Sequence, residues 1–483
     1  MKKYIFICLA SISFNKINAQ QNLWDLRKCV EYAQKNNVSV KQADIQVRLA
    51  KLETERARLA QHPNVNATSS LGTQFGRSVD PTTNQFTTTQ LLFNSINVNA
   101  GVQIFNWGAL KMNREIAAFN AQAAQTDVER ITNDIALNVA TFYLQVLASK
   151  QQIALSQAQI EQTQNQLKFT KIRVEVGALP ELNIAEFEAQ LARDSVSLIN
   201  SKANYDQAVI QLKAAINLPM TEPFDVATPP VDQIPIEPLA ELEPAGLYKM
   251  ALTTQPLQKA NDIRIKSANK SILAARTQLY PTISAFGGLG TNFAGVQQEI
   301  RGVNITGFRN TSNVVTVGGV DYAVKTPDFQ LISGSRSFWE MWKGYGTQIG
   351  DNFRQNFGIQ ISVPIANNGN AKLGIQRAEL NFKNTQLNAQ QSNIILEQAI
   401  YQAHTVAIAS MKRFNASKRS VELAEISYNF SKKRYESGVG TTLDVLTNLN
   451  NLNRSKTELL NAQFDYVFRM KLLEFYKGQG LKL

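Results

Sequence analysis

Apolar residues recur every seven positions along one stretch of the chain, at Val139, Val146, Ile153, Ile160, Leu167 and Val174. A second stretch repeats the spacing at Ile400, Ala407, Phe414, Val421, Tyr428 and Tyr435. A strict seven-residue period implies helices wound left-handedly against neighbours. Residues 110–176 contain neither Gly nor Pro, and neither do residues 375–437. Each run therefore reads as one helix. At about 1.5 Å per residue the first is roughly 100 Å long, beyond any ordinary globular helix. The position three residues on is mostly small: Ser149, Ser156, Thr163 and Thr170, then Ala403, Ser410, Ser417, Ala424 and Ser431. A coiled-coil dimer wants leucine there. Small hydroxyl residues suit either a close helix approach or a face that borders water.

Before each long helix the period changes to two. Ile96, Val98, Ala100, Val102 and Ile104 alternate with Asn97, Asn99, Gly101 and Gln103. Ile359, Ile361, Val363 and Ile365 do the same later, with shorter alternations at Val65 and Ala67 and at Ile283 and Ala285. Such segments are strands with one apolar and one polar face. About ten residues in this pattern can cross a membrane as a tilted strand. The uncharged Asn, Gln and Ser residues on the polar face fit a wet barrel lumen better than a sheet packed on a soluble core.

The two stretches are copies. At a distance of 261 positions, eight pairs are identical between Phe169 and Arg193: Phe169/Phe430, Lys171/Lys432, Arg173/Arg434, Glu175/Glu436, Gly177/Gly438, Leu182/Leu443, Leu191/Leu452 and Arg193/Arg454. Earlier residues repeat at 218 positions, as in Ala33/Ala251, Asp44/Asp262, Arg58/Arg276, Pro63/Pro281, Leu71/Leu289 and Gly72/Gly290. The change of register places an insertion of 43 residues in the second copy, between about Gly290 and Ile359. Repeat 1 is therefore read as 20–218 and repeat 2 as 245–483, with an inserted loop at about 291–352. Seven of the fourteen prolines lie between Pro219 and Pro244, so 219–244 reads as an extended linker. After the glycines at 177 and 438, residues 181–218 and 441–477 read as return helices of about 57 Å. Shorter helices near 38–61 and 257–279 cover the rest of each long one.

Composition changes the picture at the start of the chain. Residues 1–19 carry Lys2 and Lys3, a short apolar core over 4–14, and Ala19 before Gln20, the layout of a secretory signal peptide. Cys8 lies inside that core, so only Cys29 would remain after cleavage and no intrachain disulfide is expected. The formal net charge is +12, but the basic residues are spread and an exported chain points to no nucleic-acid partner. His62 and His404 have no second ligand at metal spacing. No nucleophile elbow, phosphate loop or His-Glu-x-x-His motif occurs, so neither an enzyme nor a cofactor is expected. No run of eighteen apolar residues predicts a transmembrane helix.

Four strands cannot close a barrel, and lipid does not tolerate open edges. Three copies would supply twelve strands and twelve helical staves. With this duplicated strand–strand–helical hairpin unit and the sentence "YESGVGTTLDVL" from Tyr435 to Leu446, nearly the whole chain from about Leu23 to Lys477 resembles the TolC-type outer membrane efflux proteins. The resemblance implies an α+β membrane protein of the bacterial outer membrane that extends into the periplasm. It implies a homotrimer that shares a 12-stranded β-barrel and a long α-helical coiled-coil barrel. It also implies partners: outer membrane lipid, a periplasmic adaptor, and an inner-membrane pump.

Within that resemblance, Gly177, Ala178, Gly438 and Val439 mark bare hairpin tips where the adaptor docks, or the glycines serve the turn alone. Tyr435 and Asp444 look like members of the family's tunnel gate. An arginine usual in some relatives falls at Gly440 and an aspartate at Thr447. Asp444 reads equally as a charge that stabilises the start of its helix. The resulting expectation is a passive export duct. A structural coiled-coil surface protein or a trimeric uptake porin is the alternative. The inserted loop would face outward, with Trp339, Trp342 and Tyr345 at the barrel mouth or the lipid interface.

Overall fold

In a computed structural model the structure describes residues 23–79, 84, 86–88, 90–228 and 237–478. The expected signal peptide, with Cys8, lies outside these residues, as does the middle of the proline-rich linker.

The repeat distances reappear in the element bounds. Helix α1 (Leu26–Asn36), helix α2 (Val38–Leu59) and strand β1 (Asn64–Gln74) begin 218 positions before α5 (Pro244–Thr254), α6 (Pro256–Arg276) and β5 (Thr282–Val296). Helix α3 (Ala109–Glu175) begins and ends 261 positions before α8 (Asn370–Glu436). Both have 67 residues, about 100 Å at the helical rise. Each turns back into a shorter helix, α4 (Leu182–Ile216) and α9 (Thr442–Lys477). Asn217, at φ +60°, ends α4, and Gly478, at φ +89°, ends α9. Both residue types tolerate the left-handed region that such a stop requires.

The chain forms two compact units. Of the described residues, the helical unit comprises those up to Thr54, those within Ile116–Asn269, and those from Leu380 onward. Its cores obey the duplication. Cys29 and Ala33 of α1 are fully buried with Val139 and Val146 of α3 and Leu212 of α4. Their counterparts Leu247, Ala251, Ile400, Ala407 and Leu473 are buried in a second cluster. Most of the small residues of the heptads lie inside the chain rather than against water, while Ser417 and Ala424 are half-buried. Ser149, Ser156, Thr163, Thr170, Ala403, Ser410 and Ser431 are buried, and Ser156 Oγ lies 3.1 Å from Ser201 Oγ of α4. Of the two readings of these positions, close helix approach is the one realised.

The second unit comprises Glu55–Glu115 and Lys270–Glu379. Its sheet has the order β1-β4-β5-β8, all antiparallel, with β4 at Leu91–Phe105 and β8 at Arg354–Ser362. The register sets Ala67 opposite Val98, Val98 opposite Leu289, and Ala285 opposite Ile359. Asn66, Asn99, Gly288 and Asn356 form the corresponding row on the other face. One face is therefore apolar and the other polar, as the alternation requires. Gly288 and Gly290 leave room for the amides. A Cβ at Gly288 would meet Asn356 Oδ1 at 2.5 Å, and one at Gly290 would meet Asn97 Oδ1 at 2.8 Å.

The alternation through Val363 and Ile365 overstates the last strand, which stops at Ser362. Pro364 has no N–H to continue a ladder. The inserted segment is more regular than a loop. β6 (Gln298–Val317) and β7 (Val320–Ser335) form an antiparallel ribbon turned at Gly318 and Gly319. Among the described residues the first copy carries a short ribbon there, β2 (Arg77–Val79) with β3 (Phe86–Thr88). Past the long ribbon, Met341 and Trp342 precede helix α7 (Tyr345–Asp351). Trp342 and Tyr345 pack on Phe293 of β5, with ring centroids at 5.6 and 5.0 Å. These two aromatics thus cover one end of the sheet, while Trp339 remains 79% exposed.

Candidate functional site at the hairpin tips

Both hairpins end in the same backbone device. Gly177 has φ +74° and Gly438 φ +80°. The Gly177 N–H donates to the Val174 carbonyl at 2.9 Å and the Ala178 N–H to the Arg173 carbonyl at 2.8 Å. Gly438 and Val439 repeat this on Tyr435 and Arg434, at 3.1 and 3.0 Å. This pairing ends a helix with a glycine in the left-handed region, where a Cβ is strained. A Cβ at Gly177 would meet nothing within 4 Å, so its constraint is conformational rather than spatial. Val176 and Val439 are each 73% exposed beside their glycines.

Gly440 is constrained differently. Its N–H adds a third bond to the Arg434 carbonyl at 3.0 Å, and a Cβ there would stand 2.9 Å from the Tyr435 nitrogen. No side chain fits this approach without a shift, an arginine included.

The sequence-predicted gate residues do not meet. Tyr435 is buried, its ring edge-on to Phe187 of α4 and its hydroxyl 3.2 Å from Thr170 Oγ1 of α3. Asn183 Nδ2 donates to the same hydroxyl at 3.4 Å. Leu167, Tyr428, Val445, Leu446 and Leu449 complete this cluster, which joins the two hairpins. Each such side chain contributes about 1.5–3 kcal/mol on burial. Asp444 sits in the first turn of α9 instead. Its backbone N–H donates to Thr441 Oγ1 at 3.2 Å, and its Oδ2 accepts from the Thr441 N–H at 3.3 Å. This reciprocal cap satisfies two otherwise unpaired donors. The bonds from the Thr441 side chain and backbone, with a smaller contribution from the Arg434 charge, hold the Asp444 carboxyl below its ordinary range.

One functional side chain escaped the sequence reading. Arg173 Nη1 donates to the Glu436 carbonyl at 2.7 Å and the Tyr435 carbonyl at 3.2 Å. These are the last carbonyls of α8, and a cation there complements the helix dipole and pairs the Glu436 carbonyl, while the Tyr435 carbonyl also accepts from the Gly438 N–H. The signal was present, since Arg173 and Arg434 are one of the identical repeat pairs. Among the described residues no group of three or more His, Cys, Asp or Glu could hold a metal ion. The arrangement joins helix ends and presents a bare tip.

The outer membrane efflux protein family matches residues 29–218 and 331–474. The outer membrane protein TolC of Escherichia coli is 24% identical over 374 residues, covering 75% of this chain but 64% of that protein's length. The pyoverdine export outer membrane protein OpmQ of Pseudomonas putida is 21% identical over 391 residues, covering 80% of this chain and 70% of that protein. A crystal structure of CusC superposes with a TM-score of 0.73 at 17% identity, covering 94% of this chain and 92% of that one. The fold is thus the long-helix and strand fold of these channels.

Proposed function

The chain belongs to the outer membrane efflux protein family, and from that premise we propose that it is a passive outer membrane duct for cargo energised elsewhere. The observation that carries the reading is the four-stranded sheet with one apolar face, one polar face, and edge strands β1 and β8 that pair on one side only among the described residues. A sheet in lipid must close. Three copies joined β1 to β8 supply twelve strands, enough to leave a lumen where eight would be filled by side chains. The amides of Asn97, Asn99 and Asn356 would line that lumen, and Val98, Ile283 and Ile359 would face lipid. The family is non-enzymatic, and the reading requires no catalytic group.

Residues 1–19 would direct export. Residues 20–218 and 245–483 would be the two halves of each protomer, joined by 219–244. The hairpins would extend into the periplasm, where the tips around Gly177, Ala178, Gly438 and Val439 receive a periplasmic adaptor linked to an inner-membrane pump. Tyr435 and Asp444 would act in closing the tunnel, Tyr435 by joining the two hairpins and Asp444 by the charge it presents at the start of α9.

The test is assembly and conduction. Outer membrane extracts should yield a heat-labile trimer that forms discrete channels in planar bilayers. A monodisperse, non-conducting monomer sinks the proposal. Trimers without channels would favour a structural coiled-coil protein, and channels that take up nutrients with no adaptor would favour a porin.

A further inference from the structure

The two hairpin tips share a sequence but not an environment. In the first, Phe169 packs against the cluster around Tyr435, and Arg173 lies over the Phe169 ring at 5.7 Å while donating to the last carbonyls of α8. In the second, the identical Phe430 is 65% exposed, and Arg434 donates no hydrogen bond from its side chain among the described residues. Leu423, Ile426, Phe430 and Arg434 follow one another at helical spacing of three and four, and the three apolar members are all exposed. On the receiving side, the Glu436 carbonyl accepts Arg173. Its counterpart, the Glu175 carbonyl at the end of α3, accepts no side chain among the described residues. One half of a repeated contact is thus made within the chain, and the matching halves of the other are left open.

We infer that Arg434 closes the end of α3 in a neighbouring copy of this chain, donating to the Val174 and Glu175 carbonyls as Arg173 donates to Tyr435 and Glu436. The occupant follows from the duplication. The partner of the Phe169–Arg173 face is the end of the other hairpin, and the only other source of that surface is a second copy. Charge agrees, because the end of α3 carries the partial negative charge of its last carbonyls together with the Glu175 carboxylate. The Val174 carbonyl, which accepts from the Gly177 N–H, keeps a second lone pair, just as the Tyr435 carbonyl does while accepting from both Gly438 and Arg173. Phe430 would be covered in the same contact, as Phe169 is. A ring of copies then alternates two seams, one inside each protomer and one between protomers, each fastened by an arginine. The inference rests on the proposed trimer and adds the residues that join it at the tips.

The test uses the intramolecular contact as a ruler. Purified full-length trimers are made with Arg173→Cys and Glu436→Cys together, or with Arg434→Cys and Glu175→Cys together. Cys29 can stay, because it is fully buried and burial pushes its thiol up to about 12, leaving almost no reactive thiolate. A bismaleimide of the span that joins 173 to 436 within one chain should join 434 to 175 between chains. The expected result is several-fold more covalent dimer and trimer from the second pair than from either of its single-cysteine variants, and none from the first pair. Intact trimers in which 434 and 175 do not join between chains overturn the inference while leaving the duct standing. Failure of the unsubstituted chain to form any trimer overturns both. Separately, Arg434→Ala should lower the temperature at which trimers dissociate in detergent, and Arg434→Lys should recover part of the loss. An unchanged dissociation temperature would also overturn it.

Discussion

The guanidinium of Arg173 stands 2.7 Å from the carbonyl of Glu436, so the end of one helical hairpin is finished by a side chain of the other. A cation on a helix C-terminus is worth about 0.3–1 kcal/mol. Arg173→Ala should weaken the end of α8 by about 1 kcal/mol and speed amide exchange at Gly438, Val439 and Gly440. Arg173→Lys should lose less. Exchange at those amides identical to the wild type would mean that the bonds do not hold the tip.

Tyr435→Phe keeps the ring against Phe187 but removes the oxygen shared by Thr170 and Asn183. One hydrogen bond is worth about 1 kcal/mol. Single-channel recordings should show a modest rise in resting conductance. A rise as large as that of Tyr435→Ala would mean that the hydroxyl carries the whole effect and the ring packing none.

Asp444 predicts both a pH dependence and a selectivity. Its folded carboxyl lies below the ordinary range, so the cap contributes stability above the unfolded value of about 3.9 and loses it as pH falls through the folded value. The start of α9 should therefore be insensitive to pH near neutrality and fray only in strong acid, and Asp444→Asn should remove that dependence. If three copies bring Asp444 near one axis, Asp444→Ala should also reduce cation preference in planar bilayers, most clearly at low salt. Equal preference in both proteins would leave Asp444 as a helix cap alone.

Gly438 and Gly440 separate turn from docking. Gly438→Ala strains a backbone at φ +80° by about 1 kcal/mol, and trimers should persist. If the tip receives an adaptor as proposed, Gly438→Arg should leave trimers in the membrane and abolish export by filling that surface. Gly440→Ala should distort the turn at Tyr435, because its Cβ has no room. Normal export by Gly438→Arg trimers would confine the glycine to the turn.

The ribbon of β6 and β7 should lie outside the cell. A peptide tag placed between Gly318 and Gly319, or near Ser312, should bind antibody on intact cells. Labelling that requires a permeabilised outer membrane would reverse the assigned topology.

Much of this was legible because the sequence is written twice. The Gly-Pro-free runs, repeated at 261 positions, locate both ends of α3 and the end of α8 to within a residue, whereas α1 and α5, which repeat at 218 positions, are not singled out. Most of the ribbon at 298–335 lies in the insertion and has no counterpart in the short β2–β3 ribbon of the first copy, and its Gly and Thr content obscures the alternation. The extra strand residues expected at Val363 and Ile365 failed on one proline. The Arg173 bond was harder to see for another reason. Identity at Arg173 and Arg434 marks the pair as important, but only the packing of two helix ends tells which carbonyls receive the cation. Gly440 likewise owes its necessity to a backbone approach that no local pattern encodes.

Trp24 has a consequence for how the chain is made. Its N–H donates to the Asp225 carbonyl at 2.9 Å and its carbonyl accepts from Ala227 at 2.9 Å. The Tyr143 hydroxyl donates between Trp24 and Ala227, and Lys150 pairs with Asp225 at 2.7 Å. The beginning of the first repeat is thereby latched to the segment that follows it, with the long helix held across the latch. A polypeptide emerging amino-terminus first through a secretion pore can shut this latch once Ala227 is out, while the second repeat is still behind. The flank later filled by Leu460, Phe464 and Val467 of α9, and the tip cluster around Tyr435, must wait. The latch would let the first half fold on itself before the second docks on the flank left open.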